Sequence, residues 1–192
     1  TDEDGHQGYG ISLSALNQPG VTDNPVVTTF AGSGSSGSTN ATGTSASFNK
    51  PHAITSDGTN LYVAEADNHL IRKIVISTGV VTTLAGGAGS FGSSDATGTS
   101  AKFYYPRGII SDGTSLYVAD TYNHLIRKIV ISTGVVTTIA GSGSTGSEDG
   151  TSTTATFNNP QGITSDGTDI YVASRNGNKI RKIAIRETKT VD

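Results

Sequence analysis

The sequence predicts an all-β fold built from three copies of one repeating unit, and two observations support this prediction. The segment NHLIRKIVISTGVVTT at residues 68–83 occurs again, letter for letter, at 123–138, and a diverged third copy, NGNKIRKIAI, follows at 176–185. Within each copy, short runs of Val, Ile, Leu, Thr and Tyr alternate with clusters of Gly, Asp, Asn and Ser. Such runs, at intervals of about ten residues, are typical of short strands joined by tight turns. Internal repetition of this kind indicates a repeat architecture.

The first unit shows how each copy is expected to fold. Four strands are predicted at residues 52–56, 61–65, 69–76 and 80–86. Asp57-Gly58-Thr59 predicts a chain reversal, because Gly accepts a positive φ and Asp accepts hydrogen bonds from its own turn. The run from Leu61 to Glu65 is apolar on both faces, which indicates a strand covered on both sides by neighbouring sheets. Units too small to bury their own faces fit radial packing, so the predicted fold is a β-propeller of four-stranded antiparallel blades.

The stretch FYYPRGIISDGTSLYVADTYNHLIRKI at residues 103–129 resembles the NHL repeat. The resemblance implies three NHL-like blades, with repeats at about 48–86, 103–141 and 157–186 and an outer strand at 26–32 before them. Residues 26–192 are therefore expected to form the propeller blades, and residues 1–25 an N-terminal arm or linker. Members of this family usually have six blades, so the resemblance implies half of a six-bladed ring or an open, assembling propeller.

The two ends of the blade region have complementary defects. An outer strand, Val26-Val27-Thr28-Thr29-Phe30, precedes any inner strand, while the third unit continues from KIRKIAI into RETKTVD, where the other units have GVVTT. The third blade is thus expected to lack its outer strand. The predicted strand-exchange interface has two sides, with Val26, Val27, Thr28, Thr29 and Phe30 on the donor and Ile180, Ile183 and Ile185 on the acceptor.

Three arrangements satisfy this pattern equally. Two chains can exchange outer strands reciprocally and close one six-bladed ring. Chains can also donate strands head to tail and form a filament. In the third arrangement the chain is a fragment of a longer propeller that supplies the remaining blades itself.

Composition narrows the classes of function. The chain has no Cys, Met or Trp, which excludes a disulfide framework and thiolate chemistry. Its apolar runs are far shorter than the roughly 20 residues of a membrane span. The net charge is −3, and the repeated Arg-Lys pairs, expected to be solvated strand residues, have no stacking aromatics between them, so no nucleic-acid binding is predicted. The chain begins with Thr1, which is compatible with a processed protein, and an extracellular or cell-surface location is expected.

Two groups of residues are candidates for recognition. The residue after the repeated proline differs between units, and this position predicts channel-face residues at His52, Arg107 and Gln161. The tyrosines Tyr104, Tyr105 and Tyr122 occur only in the second unit and predict a contact surface. By contrast, His69 and His124 recur at one repeat position and are expected to serve the blade.

The prediction for function is a noncatalytic extracellular or surface module for protein interaction, which self-assembles by completing blades between chains. Its partners would be itself, as a homodimer or a head-to-tail polymer, or other proteins. The alternative rests on the resemblance, since some enzymes of the family hold a metal on channel histidines. It is a metal-dependent lyase or hydrolase with a site near His52. A catalytic zinc usually needs three protein ligands, and three blades offer one such His, so no metal or other cofactor is predicted.

Overall fold

The computed structural model describes residues 26–185, which form three antiparallel sheets. The first consists of β1 (Pro51–Ser56), β2 (Asn60–Glu65), β3 (Leu70–Val75) and β4 (Val81–Ala85); the second of β5 (Pro106–Ser111), β6 (Ser115–Asp120), β7 (Leu125–Val130) and β8 (Val136–Ala140); and the third of β9 (Pro160–Ser165), β10 (Asp169–Ser174) and β11 (Lys179–Ala184). Each strand pairs with the next along the chain. The predicted arm, residues 1–25, lies outside the described residues, as do residues 186–192.

The third sheet lacks a fourth strand within the described residues, as the sequence predicts. Strand β11 pairs with β10 alone, whereas β3 and β7 each pair with an outer strand as well. The segment Val26 to Phe30 is extended chain outside the sheets, and Val27 is 95% exposed. The acceptor edge and the donor segment are therefore both free in the described part of one chain.

The Asp-Gly-Thr turns form as predicted, and the structure adds a partner to them. Asp57 Oδ1 accepts hydrogen bonds from the backbone N–H groups of Thr59 (2.8 Å) and Asn60 (2.6 Å), and its Oδ2 accepts one from the Tyr62 hydroxyl (2.7 Å). Burial alone would raise the pKa of Asp57, but these hydrogen bonds hold it at about 2. Asp112 and Asp166 make the same contacts in their units.

Successive sheets pack face to face through two apolar clusters. Tyr62, Ala64 and Ile71 of the first sheet pack with Leu116, Val118 and Ile129 of the second, and Tyr117, Ala119 and Ile126 of the second pack with Ile170 and Val172 of the third. Phe103 and Phe157, from the loops before the second and third sheets, are buried in the same clusters. At the innermost strands the spacing is tight, because a Cβ at Gly108 would lie 2.0 Å from the Gln161 carbonyl oxygen.

The outermost faces of this three-blade stack are uncovered. Ile180 is 75% exposed, although its equivalents Ile71 and Ile126 are fully buried between sheets. At the opposite end Ile54 is 59% exposed, whereas its equivalent Ile109 is 5% exposed. Each end therefore presents a face that, inside the stack, is covered by another blade.

The expectation that the repeated arginines are solvated is wrong. Arg72 and Arg127 are fully buried, and each donates from Nη1 to a buried carboxylate on the neighbouring strand, Glu65 or Asp120, at 2.9 Å. Burial raises the pKa of Asp120 to about 6, while hydrogen bonds from Asn123 and Tyr104 and the charge of Arg127 oppose the shift. A buried charge needs such a partner. In the third unit Ser174 stands in place of the acid, and Arg181 keeps an ion pair with Asp149 of the preceding loop, as Arg127 does with Asp95.

Candidate functional site

The open edge of the third blade borders a groove of about 860 Å³. The groove is lined by strand β11, by the end of β8 and by the loop before β9, including Asp149 and Thr151. Of the predicted acceptor residues, Ile180 and Ile185 are exposed, while Ile183 is partly buried against the second cluster. The groove lies where an outer strand lies in the other two units.

The first two units show how an outer strand is held. Strand β4 pairs with β3 on one side, and on the other side the loop before the unit contacts its start: Val81 N–H donates to the Ala41 carbonyl (2.8 Å), and Gly43 N–H donates to the Gly79 carbonyl (2.9 Å). The second unit repeats both bonds, from Val136 to Ala96 and from Gly98 to Gly134. An outer strand therefore sits between an inner strand and a loop, with backbone partners on each side.

One residue of the preceding loop also accepts a hydrogen bond from a side chain of the outer strand. Asp95 accepts from Arg127 (2.7 Å) and from both the backbone N–H (3.0 Å) and the hydroxyl (3.1 Å) of Thr138. In the first unit Asn40 accepts from Arg72 (2.9 Å) and from the Thr83 hydroxyl (3.3 Å). The third unit has Asp149 in this place, and Arg181 donates to it at 2.8 Å. The Asp149 side chain is 94% exposed, and within the described residues no threonine donates a hydrogen bond to it.

The predicted donor strand carries the matching sequence. Residues 26–32 read VVTTFAG, against VVTTLAG at 80–86 and VVTTIAG at 135–141. Thr29 therefore corresponds to Thr83 and Thr138, and Val27 to two valines that are buried in their strands. The structure does not bring the donor and acceptor residues together in one chain. Instead Thr28, Thr29 and Phe30 border a cavity of about 450 Å³ on the uncovered face of the first blade, beside Phe48 and Ile54.

The channel-face residues do come together. His52, Arg107 and Gln161 line one cavity of about 320 Å³ beside the innermost strands β1, β5 and β9. Within residues 26–185 no cluster of three or more His, Cys, Asp or Glu side chains could hold a metal ion. The neighbours of His52 in this cavity are a guanidinium and an amide, which do not fit the set of ligands that a divalent cation needs.

The three tyrosines of the second unit meet in one aromatic cluster. The Tyr104 and Tyr122 ring centroids lie 5.3 Å apart, and those of Tyr105 and Tyr122 lie 4.7 Å apart. Two further rings join them, because Phe91 stacks on Tyr104 at 4.6 Å and His69 meets Tyr105 edge-on at 5.1 Å. Phe91 was not among the predicted contact residues. The sequence does distinguish it, because the other units have Ser36 and Thr145 at this position.

His69 and His124 link neighbouring units. Nδ1 of His69 accepts from the backbone N–H of Tyr105 at 3.2 Å, and Nδ1 of His124 accepts from that of Asn159 at 3.2 Å. Burial lowers the pKa of both imidazoles, which favours the neutral form that accepts this hydrogen bond. Both residues therefore serve the packing of the blades.

Known proteins share this repeat. No family model matches the chain. NHL repeat-containing protein 2 of Gallus gallus is 33% identical over 202 residues, which is 96% of this chain and 28% of that protein. Protein SUPPRESSOR OF QUENCHING 1, chloroplastic, of Arabidopsis thaliana is 33% identical over 172 residues, which is 82% of this chain and 16% of that protein. The chain belongs to the NHL-repeat β-propeller family.

Solved structures agree with this assignment of the NHL chain. An auxiliary nutrient binding protein from Bacteroides thetaiotaomicron superposes with a TM-score of 0.60 at 26% identity, over 67% of this chain and 36% of that one. The chain spans less than a third of the length of each of the two curated relatives described above. Among the helices of residues 26–185, none has the length and hydropathy needed to cross a membrane.

Proposed function

We propose that this NHL-repeat chain is a noncatalytic protein-interaction module that assembles by completing blades between chains. The segment Val26 to Phe30 of one copy would add as the fourth strand to β11 of another. The single observation that carries the proposal is that Asp149 and Thr29 occupy the positions of the hydrogen-bonded residues Asp95 and Thr138. Asp149 stands exposed where Asp95 holds Thr138, and Thr29 stands at the corresponding place of a free VVTT segment.

The uncovered faces support the same arrangement. A second copy offers the face containing Ile180 to the face containing Ile54. Inside the stack, the equivalent faces pack in this way, Ile71 with Ile109 and Ile126 with Ile163. Two three-blade units that exchange strands reciprocally give six blades in a closed, self-complementary dimer. Head-to-tail donation uses the same edge without closing, and produces a filament. An extracellular or surface location is retained as part of the proposal.

The energies involved are sufficient for such an association. Each ladder hydrogen bond contributes about 0.5 to 1.5 kcal/mol net, and burial of the Val27 side chain about 1.5 to 3 kcal/mol. Burial of the open blade faces adds to this, while association costs at least roughly 4 kcal/mol of translational and rotational freedom. The assembled state is therefore expected to depend on protein concentration.

A binding role also agrees with the name of the auxiliary nutrient binding protein that shares the fold. The enzymatic alternative, a metal-dependent lyase or hydrolase near His52, gains no support from the site. Arg107 and Gln161 accompany His52 in its cavity, and a cationic guanidinium disfavours a bound cation.

The test is the native mass of the chain by light scattering across a concentration series, with two matched variants. Val27→Asp places a charge at a position whose equivalents Val81 and Val136 are buried, and Thr28→Asp places it at one whose equivalents are exposed. We expect the parent and Thr28→Asp to associate at concentrations where Val27→Asp stays monomeric. Negative-stain images would show rings for the closed dimer and fibres for open donation.

A parent chain that remains a soluble monomer at every concentration would overturn the proposal, and blades of a longer chain would then have to cover the open faces. Association that Val27→Asp leaves unchanged would also overturn strand donation. Thr29→Val is the finer variant, because it removes the hydroxyl meant for Asp149 and keeps the shape of the side chain. It should weaken association, whereas Thr28→Val should not.

A further inference from the structure

We infer that the channel face of the three blades binds an oxyanion, a carboxylate or a phosphate group, with Arg107 as its main contact. This site lies within one chain and concerns the innermost strands, so it is independent of strand donation. It rests on three observations: a cation without a partner, buried donors that face no acceptor, and a cavity without an acidic lining.

Arg107 differs from the repeated arginines of the blades. The guanidinium groups of Arg72, Arg127 and Arg181 each form an ion pair or donate to a backbone carbonyl. Among residues 26–185, Arg107 has no ion pair and no side-chain hydrogen bond. Its Nε is buried without an acceptor, as are the Nε atoms of Arg72 and Arg127, so the difference lies in its unpaired Nη groups. Its described contact is with the face of the Tyr122 ring, 5.6 Å from the centroid, which positions the guanidinium but accepts no hydrogen bond in its plane.

Gln161, which lines the same cavity, carries a second donor without a partner. Its amide nitrogen is buried and has no hydrogen-bond partner in the described residues. A buried donor left without an acceptor costs free energy, and a ligand that accepts two or more hydrogen bonds removes that cost. His52 completes the polar lining from the first unit.

The other residues that line the cavity indicate the charge of the ligand. Ala53, Ile109 and Ile163 contribute apolar surface, and none of the described residues that line the cavity carries a carboxylate. A half-buried guanidinium with no counter-charge favours an anion, and its planar fork fits a carboxylate or a phosphate through two parallel hydrogen bonds. A volume of about 320 Å³ is enough for a small molecule that carries such a group.

Blade construction does not require Arg107. The three units build the same inner strand with His52, Arg107 or Gln161 at this position. Arg107→Gln therefore installs a side chain that the fold already accepts in the third unit. A loss of binding in this variant would report on the site and not on unfolding, and a thermal melt of the variant checks this directly.

The experiment is isothermal titration of the full chain with inorganic phosphate and, separately, with acetate, at constant ionic strength set with sodium chloride. The matched control is Arg175→Gln, which removes the same charge from an exposed position of the third unit. We expect saturable binding of at least one probe, weakened at least about tenfold by Arg107→Gln and unchanged by Arg175→Gln.

Phosphate binding without acetate binding would assign the site to phosphate-bearing molecules, and the reverse result to carboxylates; either supports the inference. The inference fails if neither probe binds saturably to the parent chain. It also fails if Arg107→Gln and Arg175→Gln lose affinity equally, because the effect would then be one of net charge alone.

Discussion

At the scale of single residues, three aspartates stabilise this fold through local hydrogen bonds. Each aspartate caps a turn and accepts a hydrogen bond from the hydroxyl of the tyrosine five positions later. The three residues are Asp57, Asp112 and Asp166. These bonds require an ionised carboxylate, and they lower the pKa of all three side chains, to about 2 for Asp57 and Asp166. The pKa values of the tyrosine hydroxyls are raised. Burial, together with the hydrogen bond to Asp112, raises the pKa of Tyr117 to about 12.

The stability of the chain should therefore fall in acid. Because the folded pKa of Asp57 lies below its unfolded value of 3.8, its contribution is complete above pH 3.8 and is lost as the pH falls towards 2. Urea unfolding between pH 6 and pH 2 measures this. Asp57→Asn should lower the stability at pH 6 and flatten the acid dependence, whereas Glu148→Gln, at an exposed side chain, should do neither. Parallel pH profiles for the parent chain and Asp57→Asn would contradict the assignment.

At the scale of elements, each of the first two blades is tied to its preceding loop by a buried arginine. The guanidinium of Arg127 donates to the carbonyls of Lys102 (3.0 Å) and Ser94 (3.1 Å) as well as to Asp120 and Asp95. Arg181 makes the corresponding carbonyl bonds, to Thr156 and Glu148, but has no buried acid beside it. The third blade is thus more weakly tied, at the edge that is proposed to receive a strand.

This difference gives a matched pair of variants. Arg127→Leu leaves the carboxylate of Asp120 buried without its counter-charge and should lower the free energy of unfolding by about 3 to 5 kcal/mol. Arg181→Leu leaves no buried acid unpaired, and its cost should be nearer about 1 to 3 kcal/mol, the range for unsatisfied acceptors. Urea denaturation of both variants provides the comparison. Equal losses would show that the buried carboxylate does not determine the difference.

The strands and turns of this fold could be predicted from the sequence because they depend on local composition. The three-stranded third sheet of the described residues was predicted in the same way, from RETKTVD in place of GVVTT. The ties between loop and blade were not predicted, since Arg127 reaches partners 25 to 33 positions away and no periodicity encodes that distance. A clue was present nonetheless in Glu65 and Asp120, acids at the ends of otherwise apolar strands. Phe91 was not predicted either, because it stands alone in a loop rich in Gly and Ser, where no local pattern indicates its contact with Tyr104.

At the scale of the whole molecule, the chain is a stack of blades with two unlike ends. Within the described residues, one end has no outer strand and exposes Ile180, while the other exposes Ile54 and carries the segment Val26 to Phe30 outside the sheets. Inside the stack every such face is covered, so the ends are complementary to each other and cannot meet within three blades. The proposed assembly buries both ends with blades of a second copy, and a longer propeller would bury them with additional chain.

Cysteine cross-linking can distinguish reciprocal strand exchange from head-to-tail donation. The sequence contains no native cysteine that would interfere. In the first blade Thr82 lies opposite Lys73, and these positions correspond to Thr28 of the donor and Lys182 of the acceptor. Opposed residues on antiparallel strands have Cβ atoms about 4.5 to 5.5 Å apart, close to the spacing of a disulfide. The double variant Thr28→Cys with Lys182→Cys should therefore form disulfides between chains under mild oxidation.

Non-reducing electrophoresis then reports the geometry. A single band at twice the monomer mass, after complete oxidation, indicates reciprocal exchange and a closed six-bladed ring, whereas a ladder of multiples indicates head-to-tail donation. The control pairs Thr28→Cys with Lys128→Cys, the equivalent position on β7, where β8 already occupies the edge. Cross-linking to Lys128→Cys as efficient as that to Lys182→Cys would mean random collision. No cross-link at Lys182→Cys, at concentrations where the chain associates, would show that β11 does not receive the strand.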